Sequence, residues 1–262
     1  MIIDAHTHVW PDSIAAKALA GSGLDLPLYG DGTAHGLLTS MGEGNIDRAV
    51  CLGVANGPHQ VEKVNAFAAA LPDRLIGFGS IHPVMEPTDA IESLRRHGLR
   101  GVKMHPIFQD YRIDDTRLLP ILDAMRGEFL AIIHVGGAHG QTDDRASPAS
   151  LQWLLRQLPG LDIIACHFGG YRLLDQAEEF LVGEQVYLDT SWPPSVATLP
   201  AERVRSLVRR HGTDRVVFAS DWPTGDPSVE VQAIHDLGLG QEETEAILGG
   251  NLTHLLRMDE KV

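Results

Sequence analysis

The sequence predicts an α/β fold: eight parallel strands, each followed by a helix, closed into a single-domain (β/α)8 TIM barrel over residues 1–262. Three observations predict it. Eight short apolar runs, rich in β-branched residues, recur along the whole chain. Near-continuous hydrophobicity marks strands covered on both faces. Helical patterns separate most of these runs. An open doubly wound sheet, the competing architecture, usually carries a glycine-rich phosphate turn after its first strand; here that strand ends in histidines.

The runs, in order, are MIIDAHTH (1–8), RAVCLGVA (48–55), RLIGFGSIHP (74–83), RGVKMHP (100–106), LAIIHVGG (130–137), LDIIACHFGG (161–170), VYLDTS (186–191) and RVVFASDWP (215–223). VEKVNAFAAAL follows the second run. TDAIESLRRHG follows the third, with Thr88 as its expected N-cap and Gly98 as its stop. TRLLPILDAMRG follows the fourth. SPASLQWLLRQLPG follows the fifth, with Ser147 as cap and Pro148 as first helical residue. YRLLDQAEEFLVG and PAERVRSLVRRHG follow the sixth and seventh. After the eighth come PSVEVQAIHDLG and QEETEAILGGNLTHLLRM, where Asn251 after two glycines reads as a break and a new N-cap. Residues 11–36 are Gly-rich and long for a strand-to-helix loop, so they read as a lid or a surface insertion.

The formal charge of −14 argues against nucleic acid and anionic membrane surfaces as partners. The two cysteines, Cys51 and Cys166, form no CxxC pair, so a reducing compartment is expected. With no signal-peptide pattern and no long apolar run, the expectation is a cytoplasmic protein acting on a small molecule.

Barrel sites lie at the C-terminal ends of the strands. His6 and His8 end the first strand, His82 the third, Lys103 and His105 the fourth, His134 the fifth and His167 the sixth. Asp189 lies near the end of the seventh and Asp221 ends the eighth. Residues two apart on a strand share a face. That pairs His6 with His8, His134 with Ile132, His167 with Ala165 and Asp221 with Ala219. It leaves Cys166 on the opposite face, packed against helices. Taken singly, each polar residue has an ordinary structural role; together they repeat one feature at one end of several strands. Three or four imidazoles and a carboxylate suit a divalent transition metal, zinc first. Such an ion lowers the pKa of bound water to roughly 7, and a nearby carboxylate can take the proton. Trp10, Phe108, Trp192 and Trp222 lie just beyond strand ends, where aromatics can wall a pocket. Arg112, Arg145 and Arg172 lie in loops after strand ends, within reach of an anionic group.

DAHTH, HVGG, CHFGG and SDWP, in that order, resemble the landmarks of the amidohydrolase superfamily. GVKMHP and GNLTHLL sharpen the likeness to its amidohydrolase-related branch, which includes aminocarboxymuconate semialdehyde decarboxylase. The resemblance implies His6, His8 and His134 as metal ligands, and Asp221 as a further ligand or the base. It implies that His167 polarises substrate or shuttles a proton. Binuclear members use a carboxylated lysine or a glutamate on the fourth strand; Lys103 stands there, but KxHP belongs to the mononuclear branch, so one Zn2+ is expected. Lys103, His105, Trp10 and Trp192 are the expected substrate contacts, and a homodimer is allowed. The leading function is a metal-dependent hydrolase with Asp221 as base and Asp221 and His167 as catalytic residues. The alternative is a metal-dependent non-oxidative decarboxylase of an aromatic-like carboxylic acid. A TatD-type nuclease would carry a glutamate on the fourth strand, and a non-catalytic scaffold would have lost ligands; neither fits.

Overall fold

The computed structural model describes residues 1–21, 26–138 and 143–258. In chain order the elements are β1 (Ile3–Thr7), α1 (Asp12–Gly21), α2 (Ala34–Glu43), β2 (Arg48–Leu52), α3 (Val61–Ala69), β3 (Leu75–Ser80), α4 (Pro87–Arg96), β4 (Gly101–Met104), α5 (Leu118–Met125), β5 (Leu130–Ile133), α6 (Pro148–Gln157), β6 (Ile163–Ala165), α7 (Leu174–Phe180), β7 (Tyr187–Asp189), α8 (Ala201–His211), β8 (Val216–Val217), α9 (Pro227–Asp236), α10 (Gln241–Glu245) and α11 (Asn251–Leu255). The strands form one eight-stranded sheet in sequential order, the topology of a (β/α)8 barrel. All eight predicted runs became strands. Among the described residues no helix is long and apolar enough to cross a membrane.

The chain packs as two compact units. The first contains Met1–Cys51, Pro72–Ile76 and Leu188–Val262. Here β1 pairs in parallel with β2, Ile3 opposite Arg48 and Asp4 opposite Ala49. Its other edge meets the chain that continues β8: Phe218 O accepts from Ala5 N, His6 O from Asp221 N and Trp222 O from His8 N, each at 2.8 Å. Ile3, Ala5, Val50, Val216, Val217 and Phe218 are buried around these strands. Removing such apolar area from water contributes about 25 cal/mol per Å2. In α8 the buried Val204, Leu207, Val208 and His211 recur at helical spacing, while Arg209 and Arg210 are exposed.

The second unit contains Leu52–Leu71 and Gly77–Tyr187. Its parallel register runs Lys103–Ile132–Ile164 across β4, β5 and β6, with Met104–Ile133–Ala165 in the next rung. The two rungs point to opposite faces. Met104, Ile132, Ile133 and Ala165 are wholly buried, consistent with a sheet covered on both sides. Ser147 caps α6 by accepting from Ser150 N, with Pro148 in the first turn, as expected.

Three local expectations are corrected. Much of 11–36 is helical rather than loop: α1 draws on the helix-forming alanines Ala15, Ala16, Ala18 and Ala20, and α2 starts behind Thr33, whose hydroxyl accepts from Gly36 N at 3.0 Å. Residues 22–25 of that segment lie outside the described residues. Thr88 is not the cap of α4. Pro87, with its preset φ and missing N–H, occupies the first turn and moves the cap to Glu86. The helix does stop before Gly98, at φ +62°. Asn251 is not an N-cap either. The chain passes from α10 to α11 through a π-turn, Ala246–Gly250, and Asn251 keeps helical angles. Its side chain instead donates to Thr213 O and Val216 O, both at 2.7 Å, tying the last helix to β8.

Candidate metal centre

In the first unit, the His6 ring is held by a carboxylate. Its Nδ1 lies 2.9 Å from Asp189 Oδ2, and both side chains are buried. Ser191 donates to the other carboxylate oxygen, through its hydroxyl at 2.6 Å and its backbone N–H at 3.1 Å. A carboxylate only accepts, so the His6 proton sits on Nδ1 and Nε2 presents a lone pair. That lone pair faces His8 Nε2 at 3.1 Å. Asp221 Oδ1 lies 3.3 Å from His6 Nε2 and 3.5 Å from His8 Nε2. The three donor atoms fall within 4.8 Å of one another. Two imidazole nitrogens and a carboxylate oxygen converging in this way are a donor set for a divalent transition metal, and the residues fit one.

The backbone explains the convergence. Alternation on β1 turns His6 and His8 to one side, as predicted. Asp221 joins them through the bond from its N–H to His6 O, and it takes a left-handed φ of +59°. Non-glycine residues hold such angles at a cost of order 1–3 kcal/mol, and they cluster at functional sites. Beneath lies Asp4. It accepts from His6 N at 3.0 Å, from Ser220 N at 3.0 Å and from Ser220 Oγ at 2.5 Å. Burial pushes its carboxyl up to about 7, against those hydrogen bonds. Asp4 therefore braces the backbone of His6, while Asp189 orients its ring. That ring-orienting role was not read from the sequence. An aspartate at the end of the seventh run was visible, but its partner is 183 residues away.

The second unit gathers a different group. His134 Nε2 lies 3.0 Å from Gly137 O, and its Nδ1 lies 3.1 Å from His167 Nε2. The carbonyl only accepts, so His134 Nδ1 is the acceptor and His167 Nε2 carries the proton. His105 lies between two rings, with Phe108 at 3.8 Å and 9° and His134 at 4.0 Å and 10°. Both faces are packed, so His105 has only its edge to offer a ligand. Lys103 is wholly buried and donates to Cys166 Sγ at 3.0 Å.

That contact corrects the facing of two residues. Register places Ile164 beside Ile132 and Lys103, so Cys166 shares their face rather than packing outward against helices. His167 does not simply continue the face of Ala165. Its backbone turns left-handed at φ +61°, followed by Phe168 at +51°. This breaks the alternation and carries His167 onto His134. Tyr171, not anticipated, packs 5.3 Å from the His167 ring.

Of the expected aromatic wall, Trp10 stacks beside His8 with ring centres 6.1 Å apart. Trp192 follows Ser191 and is half-buried. Trp222 is fully buried and donates to Ser40 Oγ at 3.2 Å, which makes it a packing residue. Arg112 is bidentate on Asp114, and Arg145 holds Asp143 and Asp110. Arg172 lies over the Tyr171 ring at 5.5 Å.

The amidohydrolase family model matches residues 3–258. The chain belongs to the amidohydrolase family. No curated protein matches it. Solved structures of similar fold include a probable 2-pyrone-4,6-dicarboxylic acid hydrolase from Acinetobacter baumannii with citric acid bound, at 17% identity and a TM-score of 0.68, covering 98% of this chain and 99% of that one. Another is 5-carboxyvanillate decarboxylase from Sphingomonas paucimobilis, at 16% identity and a TM-score of 0.71, covering 98% of each chain. A third is a dihydroxybenzoic acid decarboxylase from Polaromonas with bound manganese and 2-nitroresorcinol, at 13% identity and a TM-score of 0.72, covering 99% of this chain and 98% of that one. At these identities the likeness is one of fold. This amidohydrolase is thus an enzyme of a family that typically works with a divalent metal.

Proposed function

We propose that this amidohydrolase is a metal-dependent hydrolase of a small-molecule substrate, working with one divalent ion, zinc in the first instance. The observation that carries the reading is the convergence of His6 Nε2, His8 Nε2 and Asp221 Oδ1, with the His6 ring locked by Asp189. His134 is included as a ligand on the strength of the motif HVGG; it would ligate through Nδ1, giving up the hydrogen bond it accepts from His167 Nε2. A divalent ion in this donor set supplies a Lewis acid that brings the ionisation of water near neutrality.

The chain's own groups supply the rest. Asp221 is part-exposed, so its carboxylate can accept the proton of the attacking water and return it to the leaving group. His167, whose Nε2 proton is released from His134 when that ring ligates through Nδ1, donates to the oxyanion that develops on the substrate. Trp192 and the edge of His105 are the proposed substrate contacts. Lys103 acts from beneath through Cys166.

A second reading, non-oxidative decarboxylation, stands on the same residues and is favoured by the two decarboxylases of like fold. There Asp221 delivers a proton to carbon as the C–C bond breaks. Incubating the zinc-loaded or manganese-loaded enzyme with lactones, amides and aromatic acids separates the two. Hydrolysis releases a titratable acid or an amine. Carbon dioxide as the product, with no hydrolysis in the set, would replace the first reading with the second.

A further inference from the structure

His8 lies one residue beyond the end of β1. Its side chain is 18% exposed against 1% for His6, which Asp189 fixes from behind. What lies alongside His8 is Trp10, two residues on. The rings are stacked at 25°, with centres 6.1 Å apart. Trp10 is itself held in place. Its backbone N–H donates to Gly32 O at 2.8 Å, and Tyr29 N donates to Pro223 O at 2.8 Å. Within the segment 26–32, Gly32 lies against the Trp10 indole and Gly30 against the Trp222 indole.

The glycines make that approach possible. A Cβ on Gly30 would sit 2.1 Å from Trp222 Cζ2. One on Gly32, where φ is +75°, would sit 3.0 Å from Trp10 Cε3 and 3.2 Å from Leu19 Cδ1. Only a bare backbone fits against the rings at these points. Leu28 and Tyr29 beside it stay exposed, so the segment is held by its backbone and not by burying its own side chains.

We infer that Trp10, backed by the segment 26–32, is a positioning residue that holds the His8 imidazole in its metal-ligating orientation. The sequence alone suggested Trp10 as a wall of the substrate pocket. The geometry points instead to a plate behind a ligand. Groups that orient a ligating imidazole typically change metal affinity 10- to 100-fold when removed. The inference rests on the metal-site reading above, but it is tested without substrate.

The test is competition for Zn2+ between the chelator-stripped protein and a chromophoric chelator, using wild type, Trp10→Phe, Trp10→Ala and Trp10→Leu. Melting temperatures of the metal-free proteins report folding, and Co2+ absorption spectra report ligand geometry. Trp10→Ala is expected to weaken Zn2+ about tenfold or more and to alter the Co2+ spectrum. Trp10→Phe, which keeps a ring, is expected to stay within about threefold of wild type. Trp10→Leu fills volume without a flat ring. It should behave like Trp10→Ala, and it carries the test if the alanine variant does not fold. A folded Trp10→Leu or Trp10→Ala with wild-type affinity and spectrum overturns the inference while leaving the hydrolase reading intact. A wild type that binds no Zn2+ overturns both.

Discussion

The two groups of histidines differ in what partners them. In the first unit, His6 and His8 meet carboxylates: Asp189 behind one ring, and Asp221 in front of both. In the second, His105 and His134 meet rings and a carbonyl. Carboxylates around neutral imidazoles create a place for a cation, because negative charge converges there with lone pairs. A carbonyl and stacked rings instead fix which nitrogen carries the proton, without adding charge. The same residue type thus meets carboxylates in one region and rings and a carbonyl in the other.

That contrast can be broken most forcefully at Asp221, assigned as both ligand and base. Asp221→Asn should lower turnover by at least about 10^3-fold and reduce bound metal, measured by initial rates and metal analysis. His167→Ala tests the other side. Turnover should fall roughly 10^2- to 10^4-fold while metal content stays at the wild-type level. Parallel loss of metal in both variants would show that the two groups are not distinct in function. Asp189→Asn sharpens the comparison, since it removes only the charge behind His6. Zinc affinity should weaken about 10- to 100-fold in a chelator competition.

The smallest effect concerns stability. Glu230 is buried in α9 and accepts from Val196 N at 3.0 Å, and burial pushes its carboxyl up to about 7 from 4.5. The folded state therefore holds the proton more tightly than the unfolded state does. The favourable protonated form is fully present below about 4.5 and is lost as pH rises through about 7. Wild type should lose about 1 kcal/mol between pH 6 and pH 8 that Glu230→Gln does not lose, read from urea unfolding at both values.

Much of this was legible in the sequence because strand physics is local. A covered strand must be apolar along its length, so all eight runs announced themselves. The period of two places His6 beside His8. Legibility failed where the backbone left regular geometry. Nothing in CHFGG says that His167 and Phe168 turn left-handed, and that turn decides the directions of Cys166 and His167. It failed again where partners are remote in sequence, as for Asp189 with His6. The first helices were hidden in a segment whose glycines suggested a loop. At least two of those glycines serve close approach to tryptophan rings.

The most direct test of the account is the divalent metal content of wild type and His6→Ala, each incubated with Zn2+ and freed of excess ion. The account predicts about one tightly held ion per chain in wild type and close to none in folded His6→Ala. A wild type that retains no ion, or a His6→Ala protein that retains as much as wild type, would contradict it.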